Sequence, residues 1–102
     1  MSENLESKSL AQKEIFLKEI GRILQETTQN AGIVKHLTLH TEFSLKLNPV
    51  EAYEFIYRVE QGVKVKISDE VAGTLTNTEK YYNYLKNNYP TELQGFIDSK
   101  SH

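Results

Sequence analysis

Glu51 and Glu54 stand three residues apart in the stretch NPVEAYEFIYRVEQGVKVKISDE, residues 48–70. That spacing puts two carboxylates on neighbouring positions of one helix face. Buried near each other, such a pair could act as general acid and general base. On a small helical domain the commoner outcome is two solvated charges. His36 and His40 have the i, i+4 spacing of a two-histidine metal site. They sit, however, in a segment that reads as loop, and only Glu42 is a carboxylate close by in sequence. Solvated loop histidines are the expectation there, and no metal is expected. The chain has no cysteine, which excludes disulfides, thiolate metal sites and a cysteine nucleophile. No nucleophile–base pair stands out, so no catalytic residue is assigned and an enzyme is not expected.

The composition narrows the partners. A formal net charge of −2 over 102 residues gives no broad basic field, so nucleic acid is a poor partner. Lys35, Lys64 and Lys66 read as solvated surface. No apolar run approaches the ~20 residues of a membrane-spanning helix. The start, MSENLESKSLAQKE, lacks the basic segment and apolar run of a signal peptide. These features suggest one cytoplasmic domain, monomeric, without membrane insertion. A hydrophobic fraction of 38% allows a core, although a small domain buries a smaller share of its surface.

The elements that must position these residues follow from apolar spacing and caps. Residues 1–8 are polar and read as a flexible start. A first helix is expected from about Ser9 to Asn30, with Leu10, Phe16, Leu17, Ile20, Ile23 and Leu24 as its apolar positions. Gly21 would let another helix approach, and Gly32 suits a left-handed helix exit. Residues 31–47 carry too many apolar groups for a free loop. Leu37-Thr38-Leu39-His40 alternates like a strand, but a loop packed across the helices is preferred because no second strand is available to pair with it. Asn48 as N-cap, Pro49 at N1 and Glu51 at N3 then open a second helix. Its expected buried stripe is Val50, Tyr53, Ile56 and Val59, flanked by Phe55 and Val63. Gly62 marks its end, and Val63, Val65 and Ile67 form an extended linker. Ser68 caps a short helix from Asp69 to about Gly73, and Thr76 or Asn77 caps a last long one from Thr78 to about Asn88. That helix should bury Tyr81 or Tyr82, Leu85 and Tyr89. Pro90 stops it, leaving residues 91–102 as a tail with at most one helical turn carrying Leu93, Phe96 and Ile97.

This order of a long helix, a long packed loop, a capped helix, a short helix and a last helix resembles the four-helix bundle of acyl and peptidyl carrier proteins. Residue types extend the likeness. Phe43 resembles the carriers' loop phenylalanine. Tyr53-Glu54-Phe55 stands where Val-Glu-Leu is usual, Ile67-Ser68-Asp69-Glu70 resembles Ile-Pro-Asp-Glu, and Tyr82-Asn83-Tyr84-Leu85 resembles Ile-Asp-Tyr-Ile. From Asn48 to Leu85 the match needs no gap. The resemblance implies an all-α, four-helix acyl-carrier-like domain over residues 9–90.

In the same register Asn48-Pro49-Val50 stands where carriers have Asp-Ser-Leu. The carrier serine holds phosphopantetheine on its hydroxyl, and Pro49 has none. A second register sets Lys46 at that place and also supplies no hydroxyl. Ser44, followed by Leu45, is the nearby alternative attachment serine. No cofactor is therefore expected, with phosphopantetheine on Ser44 as the alternative. The chain resembles acyl-carrier-related proteins of bacterial peptide maturation systems that lack the serine. The resemblance implies a non-catalytic module that docks on a biosynthetic or peptide-modifying enzyme through Glu51, Glu54, Phe55, Arg58 and Glu60. A small structural or regulatory subunit is the alternative from another class. Six tyrosines leave room for an aromatic docking patch beside the second helix.

Overall fold

Thr28 ends the first helix, because its side chain competes for a backbone carbonyl. The Thr28 hydroxyl donates to the Leu24 carbonyl at 2.8 Å. The computed structural model describes residues 2–100, with side chains from residue 9 onward. In it α1 spans Ser2–Thr28, starting seven residues ahead of the expected Ser9. Its buried face is Phe16, Ile20, Ile23 and Leu24, while Leu10 is more than half exposed. The left-handed residue after it is Gln29, with φ 54°, and no glycine has positive φ. Gly32 therefore does not play the role its type suggested. Asn30 instead caps a 3₁₀ turn, Ala31–Val34, by accepting from the Gly32 N–H. Gly21 meets Val34 and Leu37 of this loop rather than another helix.

The loop carries a second 3₁₀ turn, Phe43–Lys46, and no strand is present among the described residues. The preference for a packed loop over a strand holds. Phe43 is fully buried, so one side chain anchors the segment.

Helix α2, Pro49–Val63, starts as the residue types require. Asn48 and Glu51 form a complete capping box with Pro49 in the first turn. Its exit differs from expectation. Gly62 stays helical, and Lys64 takes the left-handed conformation with φ 68°. Val65 and Ile67 then bury alternate positions of an extended linker. Ser68 caps α3, Asp69–Ala72, and Asn77 caps α4, Thr78–Asn88. Pro90 ends α4 but also begins α5, Pro90–Lys100. Proline lacks the amide that the first turn of a helix leaves unpaired, so one residue does both. The expected tail is thus an eleven-residue helix burying Leu93, Phe96 and Ile97. Met1, Ser101 and His102 lie outside the described residues.

The chain is predominantly helical, with five helices among the described residues. α1 packs against α2, α4 and α5, and α5 also contacts α2 and α4. Two aromatic groups fill the interior. Phe43, Phe55 and Tyr81 lie within 5.2–6.1 Å of one another, centroid to centroid. Phe16 meets the edges of Tyr82 at 5.9 Å and Phe96 at 6.1 Å. Tyr81 and Tyr82 are both buried while Tyr84 is half-buried, as neighbours that cannot share one face require. No described helix is long and apolar enough to cross a membrane.

Candidate functional site

The tip of α2 is built for helix initiation. The Asn48 side-chain oxygen accepts from the Glu51 N–H at 2.8 Å, and the Glu51 carboxylate accepts from the Asn48 N–H at 3.0 Å. Both side chains satisfy amides that would otherwise lack partners. Glu51 therefore serves the cap, while Glu54 approaches Arg58 at 3.9 Å. The two carboxylates have separate partners and do not form an acid–base pair.

The face that α2 turns inward differs from the expected stripe. Phe55, Val59 and Val63 are buried, with Ala52 and Ile56 beside them half-buried. Val50 and Tyr53, expected in the core, are 78% and 74% exposed, and Tyr57 is 54% exposed. The physical reason is rotational. At 100° per residue, the positions 55, 59 and 63 define a face almost opposite that of 50, 53 and 57. The helix has apolar groups on both sides, and tertiary packing selects the side with Phe55. Leu45, in the turn before the helix, is 75% exposed.

The residues expected to dock on a partner separate accordingly. Phe55 is 1% exposed, with its ring 5.2 Å from Phe43 and 5.7 Å from Tyr81. It is a core residue and not part of the exposed face of α2, which corrects its assignment to that surface. Glu60 is half-buried, and its carboxylate accepts from the Ile67 N–H at 2.7 Å, holding the linker against the end of α2. Glu51 is committed to the cap. Glu54 and Arg58 are exposed, and Arg58 also reaches Glu26 of α1 at 3.9 Å. The outward surface of α2 is therefore Val50, Tyr53 and Tyr57, bordered by Glu54 and Arg58. Sequence periodicity missed it because the same spacing that makes a core stripe also makes an exposed one.

On the inward side of α2 lies a cleft of about 320 Å³, lined by Ser44, Leu47, Phe55, Ile56, Leu75 and Tyr81 among others. Ser44 is half-buried, and its N–H donates to the Thr76 carbonyl at 3.4 Å. Burial, and then the charge of Glu60, push the Tyr81 phenol above its ordinary value. Glu42 ties the loop to the start of α4. Its carboxylate accepts from the Thr76 hydroxyl at 2.7 Å and the Asn77 amide at 2.9 Å. The Thr76 hydrogen bond is the main reason its pKa lies below the usual carboxylate value.

His36 and His40 are exposed. His40 Nδ1 lies 3.1 Å from Glu79, which also pairs with Lys13 at 3.2 Å. Among the described residues no group of three or more histidines and carboxylates is placed to hold a metal. No protein-family model, curated protein or solved structure matches the chain.

Proposed function

We propose that this chain is an acyl-carrier-like, non-catalytic binding module without a phosphopantetheine arm, which docks on a biosynthetic or peptide-modifying enzyme. The observation that carries the reading is the outward face of α2. Val50, Tyr53 and Tyr57 present apolar and aromatic surface to solvent on a helix whose other face already fills the core. An exposed cluster of large apolar side chains marks an interaction surface, and tyrosine is enriched where proteins meet. Support for the missing arm comes from Asn48-Pro49-Glu51, whose polar groups serve the cap and include no hydroxyl.

Docking then depends on aromatic contact more than on charge. Of the four charged residues first assigned to it, only Glu54 and Arg58 remain available, and they have opposite signs. Binding should therefore weaken little with added salt. The test is capture from the source cell with wild type and with a Tyr53→Ser/Tyr57→Ser variant. A biosynthetic or peptide-modifying enzyme enriched by wild type and lost with the variant supports the reading. Enrichment of the same enzyme by both, or of no such enzyme by wild type, contradicts it.

A further inference from the structure

We propose that in the free protein the outward face of α2 is covered by a second copy of this chain, the two α2 helices pairing antiparallel about a twofold axis near residue 55. The inference rests on the same exposed face as the docking reading and deepens it, since an enzyme that uses this face must displace the second copy.

Three observations carry it. First, Val50, Tyr53 and Tyr57 follow i, i+3, i+7 spacing along one side of α2 and are all more than half exposed. This is the seam of a helix that packs on another helix. Second, Tyr53 and Tyr57 are equidistant from residue 55, so an antiparallel copy sets Tyr53 beside Tyr57 of the other chain twice over, with Val50 level with Glu60 at either end of the contact. A twofold contact must be self-complementary in this way. Third, the charges along one border complement themselves. In an antiparallel pair each border meets the same border of its partner. Helical side chains lean toward the N-terminus, so the tip of Glu54 comes level with the tip of Arg58 of the other copy, and the reverse pair forms by symmetry. Within one chain Glu54 and Arg58 approach only to 3.9 Å, and both side chains keep over 40% of their exposure. Arg58 also lies 3.9 Å from Glu26 of α1, and neither contact is as close as a hydrogen bond, so both groups can turn to meet a partner's. A parallel pair would not bring these two groups together.

The size of the seam sets the strength. Two tyrosines and a valine offer a few hundred Å² of apolar surface per copy, short of the roughly 800 Å² per partner of a stable standard interface. The dimer is therefore weak, with a Kd on the order of ten micromolar to a millimolar.

Sedimentation equilibrium of the full chain, from about ten micromolar to a millimolar, reads it directly. Wild type should shift from monomer toward dimer over this range. Glu54→Arg and Arg58→Glu should each raise the Kd on the order of tenfold, because each sets like charges face to face twice in the dimer. The double exchange Glu54→Arg/Arg58→Glu should restore wild-type association, a result that an unrelated asymmetric contact would not give. Tyr57→Ser, at an exposed position, should abolish dimerisation with helical circular dichroism unchanged, which separates loss of contact from loss of fold. A wild type that stays monomeric to a millimolar overturns the proposal. So does a dimer that is indifferent to Tyr57→Ser, or one that the double exchange leaves as weak as the single variants. Each of these three outcomes leaves the enzyme-docking reading to its own capture test.

Discussion

Thr78 is fully buried, and its hydroxyl has no hydrogen-bond partner. An unpaired buried hydroxyl carries a desolvation cost with nothing to offset it. Thr78→Val keeps the shape and removes that cost, so it should stabilise the fold by about 1 kcal/mol, a rise in Tm of ~4–8 °C for a domain of this size. Thermal denaturation followed by circular dichroism reads this, and a lower Tm would contradict it. Glu42 gives a pH signature of known sign. Its folded-state pKa is depressed, so its contribution is present above the ordinary carboxylate value and is lost as pH falls through the depressed one. Glu42→Gln should lower Tm near neutral pH, and the gap from wild type should close on acidification. A gap that stays constant to low pH would show that the charge plays no part. Glu60 shows why single residues were misassigned from sequence. Its place on α2 was legible, but not that the linker would return and put the Ile67 amide 2.7 Å from its carboxylate. A contact across seven residues leaves no local pattern.

The elements differ in how openly the sequence announced them. The starts of α2, α3 and α4 were legible from Asn48, Ser68 and Asn77, because a cap depends on one polar side chain and three or four residues of backbone. Asn77 does more than expected, since it accepts from the Lys80 N–H and donates to Glu42. Asn77→Ala should cost about 1–2 kcal/mol in denaturant unfolding; an unchanged midpoint would contradict this account of the α4 start. The exits of α3 and α4 fall at Gly73 and Asn88 as expected, but those of α1 and α2 were not legible. Gly32 and Gly62 attracted the assignment, yet Gln29 and Lys64 take the left-handed conformation. α5 extends well beyond the single turn expected there, because Pro90 both stops α4 and opens the next helix. Removing residues 90–102 takes Leu93, Phe96 and Ile97 out of the core and strips the Phe96 edge from Phe16. At roughly 1.5–3 kcal/mol for each buried side chain, the loss approaches the whole stability of a small domain. The truncated chain should show no cooperative unfolding, and a cooperative transition near the wild-type Tm would show α5 to be dispensable.

At the scale of the whole molecule, the all-α character and the loop anchored by Phe43 were legible from apolar spacing and the lack of pairing strands. The functional face was not. Periodicity gave α2 two apolar stripes, and only the closed packing of α1, α4 and α5 decides that Phe55, Val59 and Val63 go inside and Val50, Tyr53 and Tyr57 stay out. The domain thus has a completed core, an uncovered aromatic seam and a proline-opened tip to α2. Under the proposed reading this bundle works through a face and not through an attached group. Incubating the full chain with a phosphopantetheinyl transferase and coenzyme A, then taking an intact mass, tests it most directly. The account predicts an unchanged mass for wild type. A gain of one phosphopantetheine, lost again in Ser44→Ala, would contradict it and make this chain a carrier with a displaced attachment site.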